Sequence, residues 1–312
     1  MTALVEVAAY VPPQRVPIES LAPGLGLSPM QVKVFRRYHG LAEVSRDPDR
    51  SLTDLLTSAA GQLSGLRGQR ARVRYVLYAR SLAVVAPFPL NPLHELTGRL
   101  GLDHANAFTL THQACATSLL AIHLAGQLLA ADGDRDALAL VVAGEKAFTR
   151  LAQLVPETSL FAEASAACLV SQDGPRDRLL AYLARSRGEF DGQPAERPDL
   201  LAAFQRSHAD ALAEVIAVAV TEAGLRLSEV SLILPHNVNL VSWRQVCRKL
   251  DFPVAKVLLD NVPSVGHAFC ADAFINYQTA AARGLLRAGD RYVIAAAGAA
   301  QGATYSAAVF QH

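Results

Sequence analysis

Hydrophobic and polar positions change period repeatedly along this chain, and the changes mark out alternating strands and helices. Leu4 to Ala9 is a short apolar strand closed by Val11-Pro12-Pro13. Residues 14 to 50 hold no sustained period and read as irregular with short helical pieces. Ser51-Leu-Thr-Asp54 offers an N-cap with an acid three residues on, and apolar helical spacing continues to about Leu63. Arg72 to Arg80 reads as a strand and Asn91 to Leu100 as a helix. Residues 107 to 112 form a strand-like run, Gln113 to Ala116 are small and turn-compatible, and an apolar helix starts at Thr117. Leu138 to Ala143 is continuously apolar, as in a strand buried on both faces. Phe161 to Ser171 is a further strand after a polar loop.

The remaining residues repeat this order. Asp199 to Ala223 is a long helix, Val230 to Leu234 a strand ending in Pro235-His236-Asn237, and Ser242 to Leu250 a helix. Pro253 to Leu259 is extended, residues 264 to 266 turn tightly, and Ala271 to Leu286 is helical. Tyr292 to Ala297 and Thr304 to Phe310 are closing strands. Ala137-Leu-Ala-Leu-Val-Val-Ala-Gly-Glu145 resembles Arg291-Tyr-Val-Ile-Ala-Ala-Ala-Gly-Ala299, and Ala164 to Gln172 resembles Thr304 to Gln311. The economical reading is an α/β protein of two similar halves, residues 1–173 and 174–312. The likeness is short and Ala-rich, so chance is the alternative.

Composition narrows the class. In 312 residues, 51% are hydrophobic, and the net charge of +1 gives no reason to expect nucleic acid or an anionic membrane as partner. No run is read as a membrane span, and the N-terminus reads as a strand and not a signal peptide, so a cytoplasmic protein is expected. Cys115, Cys168, Cys247 and Cys270 form no C-x-x-C pair, which argues against zinc or a disulfide framework.

Three side chains sit where a strand gives way to a helix or turn: Cys115, His236 and His267. Near the first turn of a helix, unpaired N–H groups and the positive dipole end favour a thiolate, a ready nucleophile. The alternative is that Cys115 is one more buried small hydrophobe. Strand ends on one edge of an α/β fold converge, so the three could share a pocket. There the thiolate would take an acyl group while imidazoles stabilise an oxyanion or enolate and move a proton. His112 could line that pocket. His94, His104, His123, His208 and His312 read as surface or satisfied core residues. Metal binding by Cys115, His236 and His267 is disfavoured by their spacing. Gly298 to Gly302 is neither of the usual phosphate loops and reads as tight packing near the pocket.

These motifs resemble, end to end, the ketoacyl-acyl-carrier-protein synthase III group of the thiolase superfamily. Gln113-Ala-Cys-Ala-Thr-Ser-Leu119 is similar to its A-A-C-S/A-G-F nucleophile site, and Leu234-Pro-His-Asn-Val-Asn239 to its H-Q-A-N motif. Val7-Ala-Ala-Tyr-Val-Pro-Pro13, Tyr38-His-Gly-Leu-Ala-Glu-Val-Ser-Arg46, Val141-Val-Ala-Gly-Glu-Lys146 and Gly302-Ala-Thr-Tyr-Ser-Ala-Ala308 resemble further segments. Two departures stand out. Gly266-His-Ala-Phe-Cys-Ala-Asp272 replaces G-N-T-S-A-A-S, so His267 takes the family's asparagine position. Phe161-Ala-Glu-Ala-Ser-Ala-Ala167 replaces the acidic loop G-D-G-A-G-A, a drift typical of members diverted to secondary metabolism.

The resemblance implies a thiolase-like fold in α-β-α-β-α layers, a homodimer, and ping-pong acyl transfer with Cys115, His236 and His267 as the catalytic set. No cofactor is implied; the substrate would be acyl-CoA or a phosphopantetheinyl carrier protein. The first expectation is decarboxylative condensation with a malonyl-type thioester, because two neutral imidazoles suit an enolate. The second is acyl transfer to a hydroxyl or amine of a sugar or polyketide, and a third is a carrier-binding homologue without turnover. Backbone N–H groups of Cys115 and of the segment near Gly302 would hold the oxyanion, and Asn239 belongs to the substrate-binding set. Lys33, Arg36, Arg37 and Arg244 with Trp243 are candidates for a basic tunnel mouth. Phe88 falls in the region that crosses the family's dimer interface; it could limit acyl length or be a core aromatic.

Overall fold

The computed structural model describes residues 1–190, 197–298 and 303–312. In chain order the strands are β1 (Ala3–Tyr10), β2 (Arg15–Pro17), β3 (Glu43–Ser45), β4 (Val73–Ala79), β5 (Asn106–Leu110), β6 (Leu138–Glu145), β7 (Leu154–Val155), β8 (Ser159–Leu160), β9 (Ala164–Ser171), β10 (Arg178–Arg187), β11 (Val230–Pro235), β12 (Arg291–Gly298) and β13 (Ala303–Gln311). The helices are α1 (Ile18–Leu25), α2 (Pro29–Val34), α3 (Leu52–Ala60), α4 (Ser64–Gln69), α5 (Pro92–Leu100), α6 (Thr117–Asp132), α7 (Pro198–Glu222), α8 (Leu240–Leu250) and α9 (Asp272–Ala282).

The two halves repeat a topology. In the first, the strand order is β1-β9-β6-β4-β5, antiparallel across β1/β9 and β9/β6 and parallel across β6/β4 and β4/β5. In the second it is β10-β13-β12-β11, antiparallel twice and then parallel. A single paired position, Ala3 opposite Arg178, joins the half-sheets.

Three packed clusters explain the layers. On β4, Val76 and Tyr78 face the outer helices α3 and α5, while Leu77 and Ala79 face the opposite way onto α6. This period-two alternation of wholly apolar strands is what a sheet covered on both faces requires. The second half packs Val293, Ala295 and Val309 under α7 and α8, and presents Tyr292, Ile294 and Phe310 to the central cluster with α6 and α9. The result is the α-β-α-β-α stack expected of a thiolase-like fold.

Two expectations are corrected here. No strand is expected over Arg178–Arg187, yet β10 makes nine register pairs with β13. Its apolar run Leu179–Ala184 is flanked by three arginines and is mostly half-buried, unlike the fully buried β6 and β9. The stretch Ala114–Asp132 is long and apolar enough to cross a bilayer, contrary to the sequence reading, but 61% of its most apolar window is buried inside the protein. It is the central core helix.

The second half is also braced internally at a buried carboxylate. Asp177 accepts from Tyr277 Oη (2.6 Å), Tyr292 Oη (2.9 Å) and His312 Nδ1 (2.7 Å). Its burial strengthens these bonds and makes an orphaned partner expensive. Replacing Asp177 by Ala strands the buried Tyr292 hydroxyl, and we expect a loss of about 3 kcal/mol in urea unfolding; a loss below about 0.5 kcal/mol would show this cluster to be dispensable.

Candidate active site

Cys115 sits in a single 3₁₀ turn, Ala114–Ala116, between β5 and α6. The chain enters this elbow through two non-glycine residues in the left-handed region, His112 (φ 69°) and Ala114 (φ 45°). Such conformations carry strain and persist only where the surroundings hold them. Gly298 is part of that hold. A Cβ there would lie 2.5 Å from the Gln113 carbonyl oxygen and 2.9 Å from the Cys115 nitrogen, so the end of β12 presses on the elbow where only glycine fits.

His267 reaches the sulfur from the other half. Its Nε2 lies 3.2 Å from Cys115 Sγ, and its Nδ1 lies 2.5 Å from Asp272 Oδ2. Its backbone is fixed by a parallel bridge to Phe161: Ala162 N–H donates to the His267 carbonyl and His267 N–H to the Leu160 carbonyl. Phe161 stacks on the imidazole at 4.9 Å and on Phe269 at 4.1 Å. Phe269, at φ 52°, turns the chain so that Asp272 returns to the histidine five residues before it.

Asp272 opens α9 and accepts from His267 Nδ1, Ala268 N–H (2.7 Å), Asn237 N–H (2.6 Å) and Asn237 Nδ2 (3.3 Å). Burial alone would lower the His267 pKa. The Cys115 sulfur on one side and the Asp272 carboxylate on the other reverse that and raise it to about 10. The arrangement is a thiol, an imidazole and a buried carboxylate joined by successive short contacts.

His236 stands at the end of β11 with its ring 5.8 Å from that of His267. Its N–H donates to the Ala295 carbonyl, and its own carbonyl accepts from Trp243 Nε1 at 2.8 Å. Burial, reinforced by His267 and His208, holds its pKa well below the ordinary value, so the ring is neutral. Its Nδ1 is buried and has no hydrogen-bond partner among the described residues.

The other sequence candidates fall elsewhere. Trp243 is wholly buried, bracing His236 from the core, and is not a mouth residue. Asn239 caps α8 by accepting from Ser242 N–H and ties it to the Thr158 carbonyl. Phe88 is 99% exposed, so it is not a core aromatic of its own chain. His112 is exposed, with Nδ1 on Thr111 Oγ1 at 2.6 Å, and does not line the buried site. Arg36 pairs with Glu19, while Lys33, Arg37 and Arg244 lie exposed on α2, the turn after it, and α8 respectively. Gly302 lies outside the described residues.

Three further side chains of the site are not picked out by the sequence: Asp272, Ser81 and His208. Asp272 was visible as the residue five beyond His267 at the start of a helix, but nothing in the sequence told which way it pointed. Ser81 places its hydroxyl 3.4 Å from Cys115 Sγ. His208 on α7, expected to be surface or satisfied, stacks edge-on to His236 at 6.4 Å with its Nδ1 buried and unpaired among the described residues.

His208 yields a pH prediction. Burial lowers its pKa from 6.5 to about 4. Between those values the unfolded chain takes up a proton that the folded chain refuses, so stability falls as pH drops through this window. The effect reaches at most about 3 kcal/mol at pH 4. His208→Leu should flatten the difference between urea curves at pH 7 and pH 4.5, and an unchanged slope would assign the acid sensitivity to other groups.

Comparison with known proteins agrees with this architecture. Residues 220–312 match the family of 3-oxoacyl-[acyl-carrier-protein (ACP)] synthase III C-terminal domains. A beta-ketoacyl-[acyl-carrier-protein] synthase III of Lactobacillus delbrueckii subsp. bulgaricus is 30% identical over 218 residues, 64% of this chain and 66% of the relative. The synthase III of Thermosynechococcus vestitus is 29% identical over 290 residues, 85% and 84% of the two chains. Among solved structures, the acyltransferase ChlB3 superposes with a TM-score of 0.85 at 20% identity, covering 99% of this chain and 97% of that one. The 3-oxoacyl-(acyl carrier protein) synthase III of Pseudomonas aeruginosa PAO1 gives 0.80 at 21% identity, covering 99% and 98%. This chain is a ketoacyl-acyl-carrier-protein synthase III-like member of the thiolase superfamily.

Proposed function

We propose that this chain transfers an acyl group from a carrier-protein or coenzyme A thioester, through an acyl-Cys115 intermediate, onto a hydroxyl or amine. The observation that carries this reading is the placement of His267 between Cys115 Sγ (3.2 Å) and the Asp272 carboxylate (2.5 Å). Decarboxylative condensation asks the site for two neutral donors around an enolate. A histidine backed by a buried carboxylate is instead built to carry a proton.

The steps follow from that geometry. The Cys115 thiolate attacks the thioester carbonyl carbon, and the oxyanion is met by neutral His236 and by the Cys115 N–H. The carbon–sulfur bond to pantetheine breaks, and the departing sulfur takes the proton from His267 Nε2. His267, now neutral and oriented by Asp272, accepts the proton of the incoming hydroxyl or amine as its oxygen or nitrogen attacks acyl-Cys115. Cys115 leaves as the thiolate and re-forms its pair with the imidazolium. Catalysis at every stage uses charges already placed in a dry site.

Condensation keeps one specific support, the neutral His236 ring beside the nucleophile together with the synthase III relatives. Offering the acylated enzyme a malonyl thioester distinguishes the readings: CO₂ release without an alcohol or amine acceptor would favour condensation and defeat the first proposal.

Partners follow from the same reading. Arg37 and Arg244 lie exposed on neighbouring elements, held together where Leu240 packs against Gly40, and present positive charge to an acidic carrier and its phosphate. The unpaired edge of β5 and the exposed Val84, Phe88 and Leu90 support a homodimer; light scattering at micromolar concentration tests it, a monomer being the contrary result.

With labelled acyl thioester, wild-type protein should retain label on a denaturing gel and Cys115→Ala should not. Asp272→Ala should still acylate but pass the group to an alcohol or amine about 10² to 10³-fold more slowly, since the base loses its orientation. Label that survives Cys115→Ala, or full turnover in Asp272→Ala, would overturn the assignment.

A further inference from the structure

Besides His267, the Cys115 sulfur meets a second group that the acyl-transfer scheme does not use. Ser81 follows β4 and is buried, with its Oγ 3.4 Å from Cys115 Sγ. The hydroxyl has one proton and two sulfurs within reach, because Cys270 Sγ also lies at 3.5 Å. Cys270 places its own thiol on the Ala114 carbonyl at 3.1 Å, and burial followed by the nearby Glu145 and Cys115 charges raises its pKa far above the ordinary value. Cys270 therefore stays a thiol. With the Glu145 carboxylate also near the hydroxyl, the geometry gives the Ser81 proton to Cys115 Sγ.

Ser81 is itself held in place. Both oxygens of the buried Glu145, at the end of β6, accept the Ser81 N–H at 2.9 Å, and Oε1 also accepts the Leu82 N–H at 2.6 Å. Burial raises the Glu145 pKa to about 7, against the hydrogen bonds from Leu82 and Ser81. A carboxylate buried at that cost, with its hydrogen bonds spent on two consecutive backbone amides, fixes the turn that aims the serine.

Resting on the proposed Cys115 chemistry, we infer that Ser81 is a further catalytic residue, donating a hydrogen bond to the Cys115 thiolate in addition to His267, and that Glu145 is the positioning residue that aims it. The thiolate is thereby gripped between two donors. When Cys115 is acylated the sulfur loses its charge, and when the acyl group departs the hydroxyl is in place to receive the returning thiolate.

The titratable and charged groups around this point are His267 with Asp272 behind it, His236, Cys270, and Glu145 with Arg80 near it. Each stays in place when Ser81 is changed. Iodoacetamide alkylation of Cys115, followed by peptide mass across pH, isolates the serine. A hydrogen bond to an anion both eases its formation and dulls its attack. Ser81→Ala should therefore move the acid limb of the alkylation profile about one unit to higher pH, while the high-pH plateau rises two- to threefold. Ser81→Thr, which keeps the hydroxyl, should restore the wild-type limb. General damage to the site would lower the whole profile without this opposed change. An acid limb that stays where it is in Ser81→Ala, or a plateau that falls with it, overturns the assignment. Alkylation needs no acyl thioester, so failure of the acyl-transfer proposal would show in the gel assay and leave this result to stand separately.

Discussion

The Asp272 carboxylate is the constraint on which the rest of the site depends. A charge this deep in protein is tolerable only when its lone pairs are satisfied, and four donors from two distant segments do so. The same bonds that stabilise the carboxylate fix the backbone after β11 at Asn237 and the backbone after His267 at Ala268. Asn276 extends the network, donating to the Pro235 carbonyl at 2.7 Å and to Asn237 Oδ1 at 2.8 Å. One buried anion therefore sets the position of both histidines, His236 from the strand end and His267 through its own ring.

Cys115 is held from the opposite direction by shape. Left-handed Ala114 and the missing side chain of Gly298 let the backbone of β12 come against the elbow, so the sulfur is positioned by close packing as His267 is by hydrogen bonding. The two halves of the chain contribute complementary kinds of rigidity. The first supplies Cys115 on a strained turn. The second supplies His267 on a satisfied carboxylate.

Much of this was legible in the sequence, for identifiable reasons. Strands buried on both faces, such as β6 and β12, announce themselves as unbroken apolar runs, and the residues at their ends are then natural candidates; Cys115, His236 and His267 were found in that way. β10 was not, although Leu179–Ala184 is itself an apolar run: it is short, mostly half-buried and closed by Arg185 and Arg187, unlike the fully buried strands. Asp272 and Ser81 were hidden for another reason. Their roles arise from where a side chain turns in space, through the φ of Phe269 in one case and the grip of Glu145 in the other. Neither is encoded in spacing. Trp243 shows the converse error: placed beside Arg244 it suggested a surface patch, but helical geometry sends neighbours to different faces, and the indole went inward to His236.

Phe161 carries a consequence for kinetic partitioning. Where the related acidic loop would bring polar groups, this chain stacks a phenyl ring on the face of His267 and a second ring, Phe269, upon the first. An imidazole sheathed in hydrocarbon can exchange protons through its edge alone, and that edge points at Cys115. Solvent approaching over the ring face meets carbon. Any thioester formed on the sulfur would then be shielded from competing hydrolysis for as long as the aromatic stack remains closed, so its lifetime is governed by an apolar contact that never touches the acyl group.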